Sequence, residues 1–436
     1  MEEMTETLEW LYSLEGRGEI YKLERMDRAL ARIGNPHRRL RAVHIAGTKG
    51  KGSVAAILDS MLRAAGYRAG LYTKPHLVNL TERTRIAGAE MPTALMLDYI
   101  RRLRAIFEDG GPQLTFFEFT VALMFLYFAE ENVDLAVIET GLGGRLDSTN
   151  VLNPLVSVIT PIGFDHMDRL GYTIAAIAGE KGGIIKPDVP VVIGARDSEA
   201  RLVLNSIAAN RRAPVRMIDR DFSYRSHAPA HRLDYSGLGL ELEGAELGLA
   251  GAFQHENAAI ALAAAEALRA QGWRIEEAAL RAGLREVVWP GRFDVVARRP
   301  TVILDCAHNE LSIEALLRTI EIELGAEVRP RLIFGCLEEK QWRAMAAMLA
   351  PRMRDVTLTQ AAPKRPLAPE NLLALFGGDA RARVIRDPMT AIAQVMSESA
   401  EDDVILVTGS VYLVGEIYPY FLERQGRRRL FPEAGI

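Results

Sequence analysis

Residues 41–66 constrain the fold more than any other stretch of the chain. RAVHIA (41–46) is an apolar run that reads as a buried strand, and AGTKGKGS (46–53) is rich in glycine. Val54, Ile57, Leu58, Met61, Leu62 and Ala65 then recur at helical spacing up to Gly66, a natural helix stop. A buried strand, a glycine turn and a helix, in that order, call for a parallel sheet with helices on its faces. The rhythm repeats, with strands expected at 68–72, 133–139, 155–160 and 190–194 and a helix over 115–132. Residues 215–250 break it. Their short alternating runs, such as 238–242, are expected to form a small antiparallel patch. Helix is expected again at 254–270, followed by the turn-rich WPGR at 289–292. A second alternation begins at Thr301, with strands expected at 301–305, 331–335, 356–359, 383–385 and 403–408.

The expected fold is therefore α/β. An N-terminal P-loop-type parallel sheet, flanked by helices and carrying the antiparallel patch, would occupy 1–293, and a C-terminal three-layer, Rossmann-like α/β unit would occupy 294–436. A chain of 436 residues exceeds one ordinary core, which agrees with two units. The charge balance, 53 basic against 57 acidic residues, argues against a general nucleic-acid binder. Cys306 and Cys336 are too few for a disulfide framework. No uninterrupted apolar run approaches the ~18 residues of a membrane span. The N-terminal stretch is acidic and lacks a signal-type apolar core. A cytoplasmic protein without membrane or nucleic-acid partners is expected.

The loop after the first strand suits phosphate. Glycines let successive N–H groups turn inward, and the helix N-terminus adds positive potential. Lys51 can reach outer phosphates and Ser53 can ligate Mg²⁺. Ile45 stands where the strict Walker pattern has its first glycine, so the loop is a shorter relative, and the plain alternative is an ordinary strand–helix turn. Glu139 ends an expected strand, where open α/β sheets bind ligands, and offers the hard oxygen that Mg²⁺ takes. Its plain alternative is a cap on the sheet edge. His166, in TPIGFDH, reaches the same edge, although a lone histidine is more often structural. Lys181 and Lys186, in EKGGIIKP, read by composition as a solvated helix end.

AGTKGKGS (46–53), YTKPHL (72–77), TFFEFT (115–120), ETGLGGRLDSTN (139–150), GFDH (163–166), EKGGIIKP (180–187), WPGRF (289–293), DCAHN (305–309) and VTGSVYLVGE (407–416) occur in that order. With them the chain resembles the folylpolyglutamate synthase/dihydrofolate synthase family of the Mur ligase superfamily, from about residue 20 to about residue 418. The resemblance implies an ATP- and Mg²⁺-dependent ligase that adds L-glutamate to dihydropteroate or a folate through an acyl phosphate, as a monomer. It implies ATP contacts from Gly47, Thr48, Lys49, Gly50, Lys51, Gly52 and Ser53, with Asn257, Arg292 and Asp305 on the far side. Ser53, Glu139 and His166 would serve nucleotide and metal. Lys181 is similar to a lysine that the family carbamylates, which makes it a metal-binding carboxylate. His308 and Ser410 would face the γ-phosphate and the incoming amino acid. His76, Phe116 and Phe117 would line the acceptor pocket. The catalytic set implied is Lys51, Glu139, His166, Lys181, Arg292 and His308.

The chain departs from the family pattern at several places. Lys74 replaces a serine, Lys49 an asparagine, and Val54 a small polar residue. Phe253 stands where histidine is common, Cys306 and Glu310 where glycine and proline are, and Gly179 where arginine is. Glu338-Glu339-Lys340 replaces an Asp-Lys pair. Two alternatives therefore stay open: the same ligase chemistry on a non-folate carboxylate, and a non-catalytic nucleotide-binding regulator. A silent protein has no chemical need for Lys51, Glu139, His166, Lys181 and Arg292 together.

Overall fold

The computed structural model describes residues 2–17, 22–227, 231–361, 366–377, 382–427 and 429–433. The first sheet holds β1 (Ala42–Ala46), β2 (Ala69–Tyr72), β3 (Thr84–Ile86), β4 (Ala89–Glu90), β5 (Leu135–Glu139), β6 (Val156–Ile159), β7 (Val191–Ile193) and β8 (Val215–Met217). Their order is β4-β3-β2-β5-β1-β6-β7-β8, parallel except for the antiparallel additions β3 and β4. Every residue of β1 and β5 is buried, as strands covered on both faces must be. On one face Val43, Ile45 and Val137 pack with the helices Lys51–Ala64, Ala252–Arg269 and Glu277–Glu286. On the other, Ala42, Ala136 and Ile138 pack with the helices Thr93–Glu108 and Phe116–Glu130. The last of these is apolar nearly all round and lies in the core except at Phe117 and Glu130. Its start is set by Thr115 and Glu118, whose side chains accept from each other's backbone N–H groups.

The chain enters at β1 and leaves on one side to β2 and later on the other to β6. That change of direction opens a crevice at the carboxyl ends of β1, β5 and β6. A three-stranded antiparallel sheet follows: β9 (Ser223–His227), β10 (Arg232–Ser236) and β11 (Glu241–Glu246). The patch expected over 215–250 is thus narrower than its span. β8 joins the parallel sheet beside β7, and residues 228–230 lie outside the described residues.

A second sheet contains β12 (Asp294–Arg298), β13 (Thr301–Leu304), β14 (Arg331–Phe334), β15 (Asp355–Leu358), β16 (Ala382–Val384) and β17 (Val404–Thr408). Its order is β12-β13-β17-β14-β15-β16, parallel but for β12. The two sheets are joined through residues 289–293. They meet again where the tail beyond the helix Val411–Arg424 returns to the first sheet. Glu90 N–H donates to the Pro432 carbonyl at 2.7 Å, Arg429 Nη1 to Glu90 Oε2 at 3.1 Å, and Thr93 N–H to Glu433 Oε1 at 2.8 Å. Among the described residues no helix is long and apolar enough to cross a membrane.

Candidate active site

A cleft of about 1650 Å³ lies between the carboxyl edges of the two sheets. Its floor is the loop after β1. Thr48 and Lys49 N–H donate to the Pro161 carbonyl at 3.0 and 3.3 Å, and Thr160 Oγ1 donates to the Lys49 carbonyl at 2.6 Å. The loop is thus moulded on the exit of β6. Gly47 has φ +154°, and a Cβ there would overlap Thr160 Oγ1. Gly50, at φ +81°, starts the helix Lys51–Ala64 and lies against Asn257, while Gly52 packs on the Trp289 ring. In this arrangement Lys51 Nζ folds back to the Gly47 carbonyl at 3.1 Å, within the cleft. Lys49 instead pairs with Asp165 at 3.3 Å.

Glu139, at the end of β5, is buried and lines the cleft beside Lys51 and Ser53. One carboxylate oxygen accepts from the Lys74 N–H at 3.2 Å, and among the described residues it has no ion pair. Burial pushes its carboxyl above the ordinary range, while the Lys51 and Lys74 charges act in the opposite direction. The Lys74 ammonium lies 3.8 Å from Asp147 Oδ2 and 5.0 Å from the centre of the Phe117 ring. Asp147 is itself held by the N–H groups of Gly141, Leu142 and Thr149. Burial opposes its ionisation, but Lys74 and these donors keep its carboxyl below the usual range.

Lys181 ends the helix Ile174–Gly182. It is buried behind the loop rather than at a solvated helix end, and Nζ donates to the Gly47 carbonyl at 2.8 Å. Burial, then the Lys51 charge, pushes it down to about 7. His166 lines the cleft with its side chain half exposed and its backbone left-handed at φ 49°. Burial of the ring lowers its proton affinity although Asp165 faces it.

The opposite wall comes from the second sheet and the segment before it. Arg292 and Asp305 are in the cleft lining. Asp305 Oδ2 accepts from Phe293 N–H and Oδ1 from Ala307 N–H, both at 2.8 Å, so this carboxylate shapes the turns that carry Arg292 and His308. His308 Nδ1 donates to the Cys306 carbonyl at 2.8 Å, and burial pushes the ring down to about 4. The ring is therefore neutral near pH 7, with Nε2 as a free acceptor edge. Ser410 is buried beneath the lining, and its Oγ accepts from Tyr412 N–H to cap the helix Val411–Arg424.

Phe117, about a third exposed, lines the cleft. Its neighbour Phe116 does not. It is a core residue, stacked on Tyr12, because consecutive helical positions point to different sides. His76 is outside the lining too, and its Nδ1 accepts from Arg83 Nε at 2.9 Å. Lining residues to which sequence alone assigns no role include Arg83, Arg85, Trp289, Lys340 and Tyr412. Arg83 and Arg85 sit in TERTRIAG, which reads as a solvated charged run and carries no periodic signal. Trp289 opens WPGRF, whose turn residues draw the eye before the ring does.

Two family models match the chain: the Mur ligase middle domain over residues 45–265 and the Mur ligase, glutamate ligase domain over residues 291–411. The chain is 36% identical to the dihydrofolate synthase/folylpolyglutamate synthase of Bacillus subtilis, over 91% of this chain and 94% of that protein. The Mycobacterium tuberculosis folylpolyglutamate synthase complexed with ADP superposes with a TM-score of 0.87 at 34% identity, covering 96% and 99% of the two chains. Escherichia coli FolC in complex with DHPP and ADP gives a TM-score of 0.86 at 30% identity over 96% and 98%.

Proposed function

The chain belongs to the folylpolyglutamate synthase/dihydrofolate synthase family of Mur ligases, and on that premise we propose that its cleft ligates L-glutamate to a folate-type carboxylate at the expense of ATP. The acceptor carboxylate attacks the γ-phosphorus of ATP, the β–γ bridge breaks, and ADP leaves. The amine of glutamate then attacks the resulting acyl phosphate, phosphate departs and the amine proton is lost. The observation that carries this reading is convergence. A glycine loop with Lys51, the buried Glu139 and the opposed Arg292 and His308 face one cleft from two sheets.

In this reading the loop N–H groups and Lys51 hold the phosphates, Asn257 meets the nucleotide beside Gly50, and Arg292 and Asp305 meet it from the far side. Phosphoryl transfer asks for charge neutralisation and alignment more than for covalent help, which cations from opposite walls supply. The neutral His308 and the turn at Ser410 suit the incoming amino acid. Phe117 offers a flat apolar face to the acceptor. The division between residues 293 and 294 follows the same logic, with the phosphate loop on one side and His308 and Ser410 on the other. Closure of the cleft keeps water from the acyl phosphate.

The donor set at Glu139 fits a Mg²⁺ ion. It offers a buried carboxylate that forms no ion pair among the described residues, with Ser53 and His166 lining the same cleft. Bound there, the ion would offset phosphate charge. Lys181 does not fit as an ammonium. Its proton affinity, pushed down to about 7, leaves free amine at neutral pH, the form that reacts with CO₂, and as a carbamate it would add a carboxylate to the set. The protein acts as a monomer in the cytoplasm in this reading.

The test is phosphate release with ATP, Mg²⁺ and glutamate. Release that requires dihydropteroate establishes dihydrofolate synthesis, and release with tetrahydrofolate establishes chain extension. Release with neither, from protein that binds ATP, overturns the folate reading.

A further inference from the structure

The β2–β3 edge of the cleft holds a buried cation that forms no ion pair among the described residues, although the Glu15 carboxylate acts on it from the same lining. Arg83 is 7% exposed and lines the cleft, yet its Nη1 has no hydrogen-bond partner. Its Nε donates to His76 Nδ1 at 2.9 Å, so the imidazole is a neutral acceptor that aims the guanidinium without cancelling its charge. Burial pushes His76 down to about 3, which agrees with that state. Among the described residues no carboxylate forms an ion pair with Arg83. The nearby Glu82 spends its oxygens on the N–H groups of Leu77, Val78 and Asn79. The guanidinium carbon lies 5.9 Å from the centre of the Phe117 ring, and the Lys74 ammonium lies 5.0 Å from the same centre.

An orphaned buried donor costs folding free energy, and a buried charge without a partner costs more. Such a group is retained where a ligand completes it. We propose that Arg83, with Lys74 across the Phe117 ring, forms a subsite for a non-reacting carboxylate of a glutamyl unit. The planar guanidinium suits a carboxylate, and the Phe117 ring beside both cations supplies an apolar floor. Two ligands carry that chemistry: the terminal glutamyl unit of an already conjugated acceptor, and the incoming L-glutamate. The inference rests on the folate-ligase reading for its choice of ligand.

The test compares the full-length protein with Arg83→Gln. With ADP present, calorimetry measures binding of pteroylglutamate and of pteroate, which differ only by the glutamyl unit. The wild type is expected to prefer pteroylglutamate by about tenfold or more, and Arg83→Gln to erase the preference. In a second arm, KM for L-glutamate is measured with dihydropteroate as acceptor. A rise of about tenfold there, with kcat held, assigns the subsite to the incoming amino acid and still supports it. An unchanged preference together with an unchanged KM overturns the proposal. Wild-type binding of neither pteroate compound, with KM unchanged, also overturns it. Arg83→Lys should recover part of the effect, and His76→Gln, which releases Nε, should give a smaller loss in the same arm. These two variants serve should Arg83→Gln fail to fold. A wild type that binds pteroylglutamate preferentially but turns over neither acceptor would sink the ligase reading and leave the subsite standing.

Discussion

At the scale of single residues, the site is held by contacts that leave little slack. Lys181→Ala removes a buried amine whose described hydrogen bond is to the Gly47 carbonyl, so the fold should survive while ligation fails. Phosphate release is expected to fall by about a hundredfold or more with the far-ultraviolet spectrum unchanged; near-normal turnover would eliminate the carbamate role. Gly47→Ala is a different kind of change. It places a Cβ at φ +154° and against Thr160 Oγ1, so the loop must leave the β6 exit. ATP affinity should drop by at least about tenfold, read as loss of nucleotide-dependent thermal stabilisation. Which site residues were legible in the sequence follows from the same contacts. Lys51, Glu139 and His166 sit beside glycines at strand ends, a pattern that chemistry makes readable. Arg83 and Arg85 lie in a charged run on the antiparallel edge, and only tertiary burial separates them from solvated arginines. Phe116 and Phe117 carry the same letter. Only the helical phase assigns one to the core and the other to the cleft.

At the scale of elements, the helix Phe116–Glu130 places Phe117, and its first turn is secured by side chains. Thr115 Oγ1 accepts from Glu118 N–H at 3.3 Å, Glu118 Oε2 accepts from Thr115 N–H at 2.9 Å, and Arg25 lies 2.6 Å from Glu118. Thr115→Ala should therefore cost about 1 kcal/mol of stability, measured by urea unfolding, and raise the acceptor KM more than the ATP KM. A midpoint equal to the wild type would show that packing alone sets this helix. The parallel strands were readable as apolar runs between glycine turns because they are buried on both faces. β3 and β4 were not, since Arg85 and Glu90 are buried within them and break the apolar pattern. β8 is three residues long, and β12 carries a register shift between Val295 and Ala297, so neither leaves a clear period in the sequence.

At the scale of the whole molecule, neutral burial of histidine sets the acid response. Burial pushes His44 and His76 to about 3 and His308 to about 4. In the unfolded chain all three take up protons below about 6.5, whereas the folded protein resists until far lower. Unfolding therefore binds protons in that window, and stability should fall as the pH drops from about 6.5 towards 4. The urea midpoint at pH 5 should lie below that at pH 7.5, and His44→Gln should shrink the difference. An equal difference in the variant would exclude His44 as a source. The two units also touch at several separate places: the tail that ends on β4 at Glu90 and Thr93, Leu77 packed on the core around Val414, and His231 Nε2 at 3.0 Å from Glu323 Oε2. A body attached at one point swivels freely, but a body attached at several moves only by letting go of some of its fastenings, as a clasp does. Spin labels at the exposed Tyr172 and Leu311 should report the swing on adding ATP, while a pair at Thr93 and Glu433 keeps its spacing. Cutting the Arg429–Glu90 contact with Arg429→Met weakens one fastening, and the swing should then widen.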